Sequence, residues 1–303
     1  MNKCLIAIRA PFLTASALPV VIGVTLAVYE TGSLSWFTAI LTLISAVCLQ
    51  VGTNVLNDYY DHKTTDDDIN ETPTPFSGGS RVIQDGLFSP RSVFILGSVF
   101  FIIGIIVGLY LWSITPGNTV LYLGLIGFLS GFLYTATPFK LGYRGIGELL
   151  VGLNFGVLEV FGAYFVQTHH FSWSTVFAGV PMSLLIAAVL YINQFPDYDA
   201  DKAVGKKHWV VRLGKEKARV YYYLMVFASY LVVISSVIIN VLNPLVLIVM
   251  ITLPMAIKAS KVLSINYNKI DELLPANALT IQIHMLFGLL LSVACIAGYF
   301  INI

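Results

Sequence analysis

Residues 36–61 read WFTAILTLISAVCLQVGTNVLNDYYD, an apolar run that ends in a group of amide and carboxylate side chains. The run reaches the ~20 residues that an α-helix needs to cross a bilayer. In a helix of this register, Asn54, Asn57, Asp58 and Asp61 share one face. Asp58 and Asp61 are three positions apart, so their carboxylates can converge on one hard cation. The stretch therefore predicts a membrane helix with a polar face at one end.

A second polar stretch follows another apolar run much later in the chain. Residues 193–201 read NQFPDYDAD, in which Asn193, Asp197 and Asp201 recur at every fourth position and predict one helix face. Asp199 falls on a different face and is expected in solvent. Because carboxylates on membrane helices are costly unless they serve a function, both stretches are candidate functional sites.

The composition of the whole chain is typical of a polytopic membrane protein. Of its 303 residues, 57% are hydrophobic and only 11% are charged, and the mean hydropathy is +0.83. Soluble domains of this length do not have such a composition. Cys4, Cys48 and Cys295 lack the spacing of a disulfide framework or a zinc site.

Nine apolar segments have a length that suits a membrane span. The predicted fold is therefore an all-α bundle of nine transmembrane helices, with residues 1–303 forming one domain and loops capping the site. The segments are 8–29, 36–57, 92–112, 118–138, 146–167, 173–195, 218–240, 243–263 and 278–300.

The distribution of positive charge supports this count. With nine spans, all 17 Lys and Arg residues fall at one membrane face. Because Lys and Arg concentrate on the cytoplasmic side, we predict a multi-pass protein of the cell membrane with this face in the cytoplasm. Both carboxylate stretches lie at the same face, so the candidate site is expected beneath cytoplasmic loops.

The residue types near the two stretches predict a metal and anion site. Carboxylates without His or Cys partners favour Mg²⁺, which often binds one or two carboxylates together with a substrate phosphate. Basic side chains at the same face can complete an anion site, although any cytoplasmic loop also carries such residues. The candidates are Arg81, Lys140, Lys206, Lys207 and Arg212.

Several residues allow two interpretations. Tyr134 fits an interfacial aromatic belt as well as a site. Glu159 is either a protonated interior residue or part of a cavity wall, and His284 is expected to bridge helices rather than to catalyse. An ion-coupled secondary transporter is the competing functional class. Transporter sites lie near the bilayer midplane, however, whereas these acids cluster at one face.

The first polar stretch resembles a motif of the UbiA superfamily of intramembrane prenyltransferases, and the similarity extends over essentially the whole chain. The family's NDxxDxxxD motif matches Asn57, Asp58 and Asp61. Its last acid falls on Thr65, beside Asp66 and Asp67, which leaves open which residue completes the motif.

The second polar stretch and the loop before residue 147 resemble two further motifs of that superfamily. Asp197 and Asp201 match its DxxxD motif, and Tyr134 with Lys140 resembles its tyrosine/lysine motif. Residues 147–168 look most like the branch that prenylates 1,4-dihydroxy-2-naphthoate in menaquinone synthesis. Tyr60 and Glu159 depart from that branch, so 4-hydroxybenzoate and an archaeal glycerol-phosphate ether stay open as acceptors.

The resemblance implies a reaction and a set of site residues. Mg²⁺ would bind the motif acids, a polyprenyl diphosphate would ionise to an allylic cation shielded by Tyr134, and an aromatic acceptor would attack it. The predicted metal ligands are Asp58, Asp61, Asp197 and Asp201, which with Tyr134 and Lys140 form the catalytic set. The predicted diphosphate contacts are Asn54, Asn57, Arg81, Lys140, Asn193 and Arg212. Membrane lipid is an expected partner, whereas nucleic acid and partner proteins are not.

Overall fold

The structure is a computed structural model that describes residues 3–64, 73–136 and 138–302. Nearly all regular structure in these ranges is helical. The helices are α1 (Lys3–Ala7), α2 (Thr14–Thr31), α3 (Trp36–Lys63), α4 (Pro90–Ile114), α5 (Thr119–Thr135), α6 (Gly147–Leu153), α7 (Glu159–Thr168), α8 (Trp173–Asn193), α9 (Tyr198–Ala203), α10 (Trp209–Leu213), α11 (Lys215–Ile238), α12 (Leu253–Asn266) and α13 (Ile270–Phe300). Short 3₁₀ segments precede α2 (Ala10–Phe12) and α12 (Pro244–Thr252).

Within the described residues, eight helical segments are apolar and long enough to cross a membrane. They include Ala10–Thr31, which joins the first 3₁₀ turn to α2, and Gly147–Thr168, which joins α6 to α7. The predicted segment 118–138 is instead the shorter helix α5, with 17 residues. The structure thus supports an all-helical, multi-pass membrane protein with eight long spans and one short apolar helix.

The helices pack unevenly. The main core lies where α2, α8, α11 and α13 meet, and its large side chains Leu185, Ile192, Tyr222 and Phe287 are fully buried. In contrast, no described side chain of α5 is fully buried. This helix therefore contributes little to the core.

The prediction of one continuous helical face over residues 193–201 is wrong. Helix α8 ends at Asn193, residues 194–197 form turns, and α9 begins at Tyr198. Pro196 lies in this interruption, where it has no N–H to donate to a helical hydrogen bond. Asp199 does face solvent, with 87% of its side chain exposed, as its position off the stripe predicts.

Candidate functional site

A cavity of about 960 Å³ extends from the ends of α3 and α8 into the bundle. Its polar end contains Asp61 and Asp197, and its deep end reaches Thr42 on α3 and Val120 on α5. The α3 segment from Thr42 to Asp61 is about 28 Å long, so the cavity follows much of the membrane depth. Most of the wall between the two ends is apolar.

Asp58, on the last turns of α3, is buried and surrounded by donors. The backbone N–H of Ser80 donates to its Oδ1 at 3.2 Å, and the Ser80 hydroxyl donates to its Oδ2. The guanidinium of Arg9 forms an ion pair with the same carboxylate. Arg9 and Ser80 both line the cavity, so they join Asp58 to its polar end.

Asp61, one turn further along α3, is also buried but accepts from uncharged groups. The Asn57 amide donates to its Oδ2 at 3.0 Å, and the Tyr143 hydroxyl donates to its Oδ1 at 3.0 Å. Asn57 also accepts from Arg9 at 3.4 Å, which links the two acids of the first motif.

The acids of the second motif lie at the same polar end of the cavity. Asp201 is buried between Lys206, at 2.9 Å, and His208, at 2.8 Å. Burial alone would raise the pKa of Asp201, but Lys206 and His208 outweigh this effect and hold the pKa below its usual value. Asp197 accepts from the backbone N–H of Gly78 at 3.2 Å. Gly78 has a φ of 79°, which a glycine adopts without strain.

Two connections bring the motifs together. The segment 78–80 contacts Asp197 through Gly78 and Asp58 through Ser80. On the other side, Tyr143 bonds to Asp61 through its hydroxyl and has the Lys206 ammonium 4.9 Å from its ring centroid. The four acids therefore belong to one polar cluster, although they come from distant parts of the chain.

The donor set of this cluster fits Mg²⁺. The acids supply oxygen ligands, which Mg²⁺ prefers. Among the described residues, no group of three or more His, Cys, Asp or Glu side chains is placed to hold a metal ion by itself. Mg²⁺ characteristically binds through one or two carboxylates together with substrate phosphates. A cluster of carboxylates beside Arg9, Arg81 and Lys206 matches that mode of binding, because the cations can contact the phosphates.

The comparisons with known proteins agree with these features. A model of the UbiA prenyltransferase family matches residues 16–277. The chain belongs to the UbiA prenyltransferase family. It is therefore a prenyltransferase by family, as its motifs predict, and a transporter function is not supported.

Relatives of this UbiA-family protein include several naphthoate prenyltransferases. It is 29% identical to the 1,4-dihydroxy-2-naphthoate octaprenyltransferase of Bacillus subtilis, over 96% of this chain and 91% of that protein. It is 28% identical to the 2-carboxy-1,4-naphthoquinone phytyltransferase of Synechocystis, over 97% and 92%.

Solved structures of UbiA homologues share the fold. The homologue from Aeropyrum pernix superposes with a TM-score of 0.67 at 18% identity, over 94% of this chain and 97% of that one. The homologue from Archaeoglobus fulgidus, bound to GPP and Mg²⁺, gives a TM-score of 0.63 at 17% identity, over 98% and 100%.

The structure places most of the predicted site residues of this UbiA-family protein around the cavity. Those in its wall are Asn54, Asn57, Asp61, Arg81, Tyr134, Asn193, Asp197 and Asp201. Asp58 contacts the wall residues Arg9 and Ser80. Lys140 does not line the cavity, and its Nζ lies 4.9 Å from the centroid of the Tyr143 ring. Thr65, Asp66 and Asp67 lie outside the described residues.

Arg212, a predicted diphosphate contact, does not line the cavity. It lies in a cap that α6, the turn before α6 and α10 form together. Its guanidinium donates to the carbonyl of Arg144 at 2.8 Å and to that of Lys207. In the same cap, Glu148 accepts from the Gln194 amide at 3.0 Å and from the backbone N–H of Trp209 at 3.2 Å. These bonds fasten α6 and the turn before it to α10, to the loop before α10 and to the residue that follows α8.

The structure also assigns to the site residues that motif analysis missed. Arg9, Tyr143 and His208 contact motif acids and line the cavity. Arg9 had a detectable signal, because an arginine inside an apolar segment is costly without a role. Tyr143 and His208 had none, since neither residue type nor spacing distinguishes them from other loop residues.

Glu159 and His284, for which the sequence allowed two interpretations, lie in different surroundings. Glu159 lines the cavity about halfway along α6–α7, and its Oε2 is buried without a hydrogen-bond partner among the described residues. His284 is buried in α13 and does not line the cavity. Glu159 is thus part of the cavity wall, whereas His284 belongs to the helix packing.

Proposed function

We propose that this protein transfers a polyprenyl group from its diphosphate to 1,4-dihydroxy-2-naphthoate or a close analogue, as a step of menaquinone-type quinone synthesis. The observation that carries the proposal is the cavity, which joins a cluster of acids and bases at one end to a long apolar space. Such a cavity matches a substrate with a charged head and a hydrocarbon tail. The naphthoate acceptor is favoured by the named activities of the relatives that the chain resembles along most of its length.

The polar end accounts for the binding and departure of the diphosphate. Arg9, Arg81 and Lys206 supply positive charge at the cavity wall, and Asp61 and Asp197 face the same space. Mg²⁺, when bound by the motif acids, supplies further positive charge toward the departing diphosphate. The expected donors beside the phosphates are Asn54, Asn57 and Asn193, which line the same end.

The reaction exchanges one bond to the prenyl C1 atom for another. The C1–O bond breaks and its electron pair leaves with the diphosphate, which produces an allylic cation. A ring carbon of the acceptor then forms a C–C bond to C1, and the ring loses a proton. Tyr134 lines the cavity near the acids and can stabilise the cation with its ring face. The cap, in which Glu148 bonds to Gln194 and Trp209, would restrict access of water to the cation at the polar end.

The proposal includes a domain organisation and a membrane orientation for the protein. We infer that residues 1–303 act as one domain in the cell membrane, that α5 is a ninth span, and that the polar end faces the cytoplasm. The loop before α4 and the loop before α6 lie on either side of α4 and α5. If both helices cross the membrane, single cysteines in these two loops should react with a membrane-impermeant maleimide only from the cytoplasmic side. Labelling of the two loops from opposite sides would overturn the span count.

An acceptor panel tests the reaction itself. The purified protein in nanodiscs receives labelled geranylgeranyl diphosphate with 1,4-dihydroxy-2-naphthoate, 4-hydroxybenzoate or a glycerol-phosphate ether. We expect product only with the naphthoate, loss of turnover after exhaustive chelation and recovery on addition of Mg²⁺. Product with another acceptor alone would refute the naphthoate assignment, and full turnover after chelation would refute the metal assignment.

A further inference from the structure

Tyr143 lies in a short 3₁₀ turn, Leu141–Arg144, between the two carboxylate motifs. The turn begins after Lys140, which has a left-handed φ of 43°, and ends before Gly145, with a φ of 75°. Gly142 packs so closely on Tyr134 that an added Cβ would lie 2.7 Å from the ring. The turn is therefore built tightly enough to present the Tyr143 side chain in a defined direction.

The hydroxyl of Tyr143 acts on the first motif. It donates to Asp61 Oδ1 at 3.0 Å and lies 3.1 Å from the hydroxyl of Thr64. With Asn57 bonded to the other carboxylate oxygen, Asp61 is held in one orientation. Hydrogen bonds to a charged group are among the stronger ones in proteins, so the loss of this bond should have a measurable effect.

The ring of Tyr143 acts on two lysines. The Nζ atoms of Lys140 and Lys206 each lie 4.9 Å from its centroid, within the range of cation–π attraction. Lys206 also pairs with Asp201 of the second motif at 2.9 Å, and the backbone N–H of Lys207 donates to the Tyr143 carbonyl at 2.8 Å. A lysine side chain is flexible, so a ring that fixes its ammonium lowers the entropy lost when it binds an anion.

We propose that Tyr143 is a positioning residue that couples the two carboxylate motifs and holds Lys206, which lines the cavity, ready for the diphosphate. Its hydroxyl orients a metal-binding acid, whereas its ring orients a diphosphate-binding cation. The inference rests on the proposed function, since it assumes that a diphosphate and a metal bind at this end of the cavity. It assigns two separable tasks to one side chain, and two substitutions can separate them.

The Tyr143→Phe and Tyr143→Leu variants provide the test. Tyr143→Phe keeps the ring, so the KM for prenyl diphosphate should change by less than about threefold, while the Mg²⁺ concentration for half-maximal activity should rise about tenfold. Tyr143→Leu also removes both lysine contacts, so the KM for prenyl diphosphate should rise by about tenfold in addition. Binding of an unreactive prenyl thiodiphosphate, measured by calorimetry with Mg²⁺ held constant, gives the same ranking without catalysis.

A matched control separates positioning from general destabilisation. Tyr267 lies under the Arg219 guanidinium, 4.8 Å from its ring centroid, and does not line the cavity. Tyr267→Leu removes a tyrosine–cation contact of the same kind, and we expect unchanged KM values. Thermal unfolding of all variants shows whether each remains folded at the assay temperature.

A double-mutant cycle tests the coupling directly. Lys206→Gln should weaken binding of the thiodiphosphate strongly in the wild-type background and much less in the Tyr143→Leu background, since the ring no longer positions the lysine. Equal effects in the two backgrounds, or wild-type binding by Tyr143→Leu, would overturn the proposal. A wild-type protein that binds the thiodiphosphate but prenylates no acceptor would refute the proposed function and leave the role of Tyr143 in binding supported.

Discussion

The two ends of the cavity are built in opposite ways. At the polar end, each motif acid has a named partner, such as Arg9 for Asp58 and Lys206 for Asp201. At the deep end, the wall includes positions with no side chain at all: Gly108, Gly124 and Gly162. Specific polar contacts shape the polar end, whereas small residues shape the deep end by leaving room in the cavity.

This difference indicates where chemistry and where substrate size are decided. A charged group near the acids changes several interactions at once, because the acids share partners across the cluster. A methyl group added at Gly124 would meet no atom within 4 Å, so it would change only the space available to a ligand. Substitutions at the polar end should therefore alter the reaction, and those at the deep end should alter which tails fit.

The largest effects are expected from the acids of the two motifs. Asp58→Ala, Asp61→Ala, Asp197→Ala and Asp201→Ala should each lower prenyl transfer by about a hundredfold or more, because each leaves the charges at the polar end unbalanced. The assay is transfer of a labelled prenyl group by purified protein in nanodiscs. Asp199→Ala is the matched control, since this exposed acid lies outside the cavity, and it should keep nearly full activity. A loss at Asp199 as large as at Asp197 would contradict the site geometry.

An intermediate effect is expected from the partners of the acids. Arg9 is the only cationic side chain among the described contacts of Asp58, whereas Asp201 has both Lys206 and His208. Arg9→Gln should therefore raise the KM for prenyl diphosphate about tenfold or more. It should also destabilise the protein more than Lys206→Gln does, because Asp201 keeps His208 as a partner when Lys206 is replaced. Steady-state kinetics and thermal unfolding measure the two quantities.

Rescue by a conservative change sharpens this second prediction. Arg9→Lys retains the charge but loses the planar guanidinium, so it should recover part of the binding lost in Arg9→Gln. Wild-type kinetics in Arg9→Gln would show that the ion pair with Asp58 contributes only to packing.

The smallest effect is expected at the deep end. Gly124→Leu lies in a regular helix and adds volume to the cavity, so it should lower transfer from long prenyl diphosphates about fivefold and leave geranyl diphosphate unaffected. Competition between donors of two lengths in one reaction gives the ratio directly. Leu129→Phe enlarges a side chain of the same helix that does not line the cavity, and it should leave the ratio unchanged. Equal loss for both donors would mean that Gly124 does not limit tail length.

Some residues of the polar end could be predicted from the sequence, and others could not. The acids were predictable because a carboxylate in an apolar chain is conspicuous. In the structure, shared contacts link Asp58 to Asp197 and Asp61 to Asp201. Arg212 and Lys140 were predicted to contact the diphosphate, but neither lines the cavity: Arg212 donates to backbone carbonyls, and Lys140 contacts the Tyr143 ring. Residue type predicts the chemistry that a side chain can perform, whereas its location depends on how the loops fold.

The sequence by itself determined the membrane setting, the helical fold class and the family, because hydropathy and the acid motifs are local properties of the chain. Only the tertiary structure decided that Tyr143 lies between the motifs, that Glu159 lines the cavity and that α8 ends before Asp197. These features depend on contacts between residues far apart in sequence. A hydrogen bond from Tyr143 to Asp61 leaves no periodic or compositional signal, since either residue could face a different neighbour if the loop before α6 followed another path.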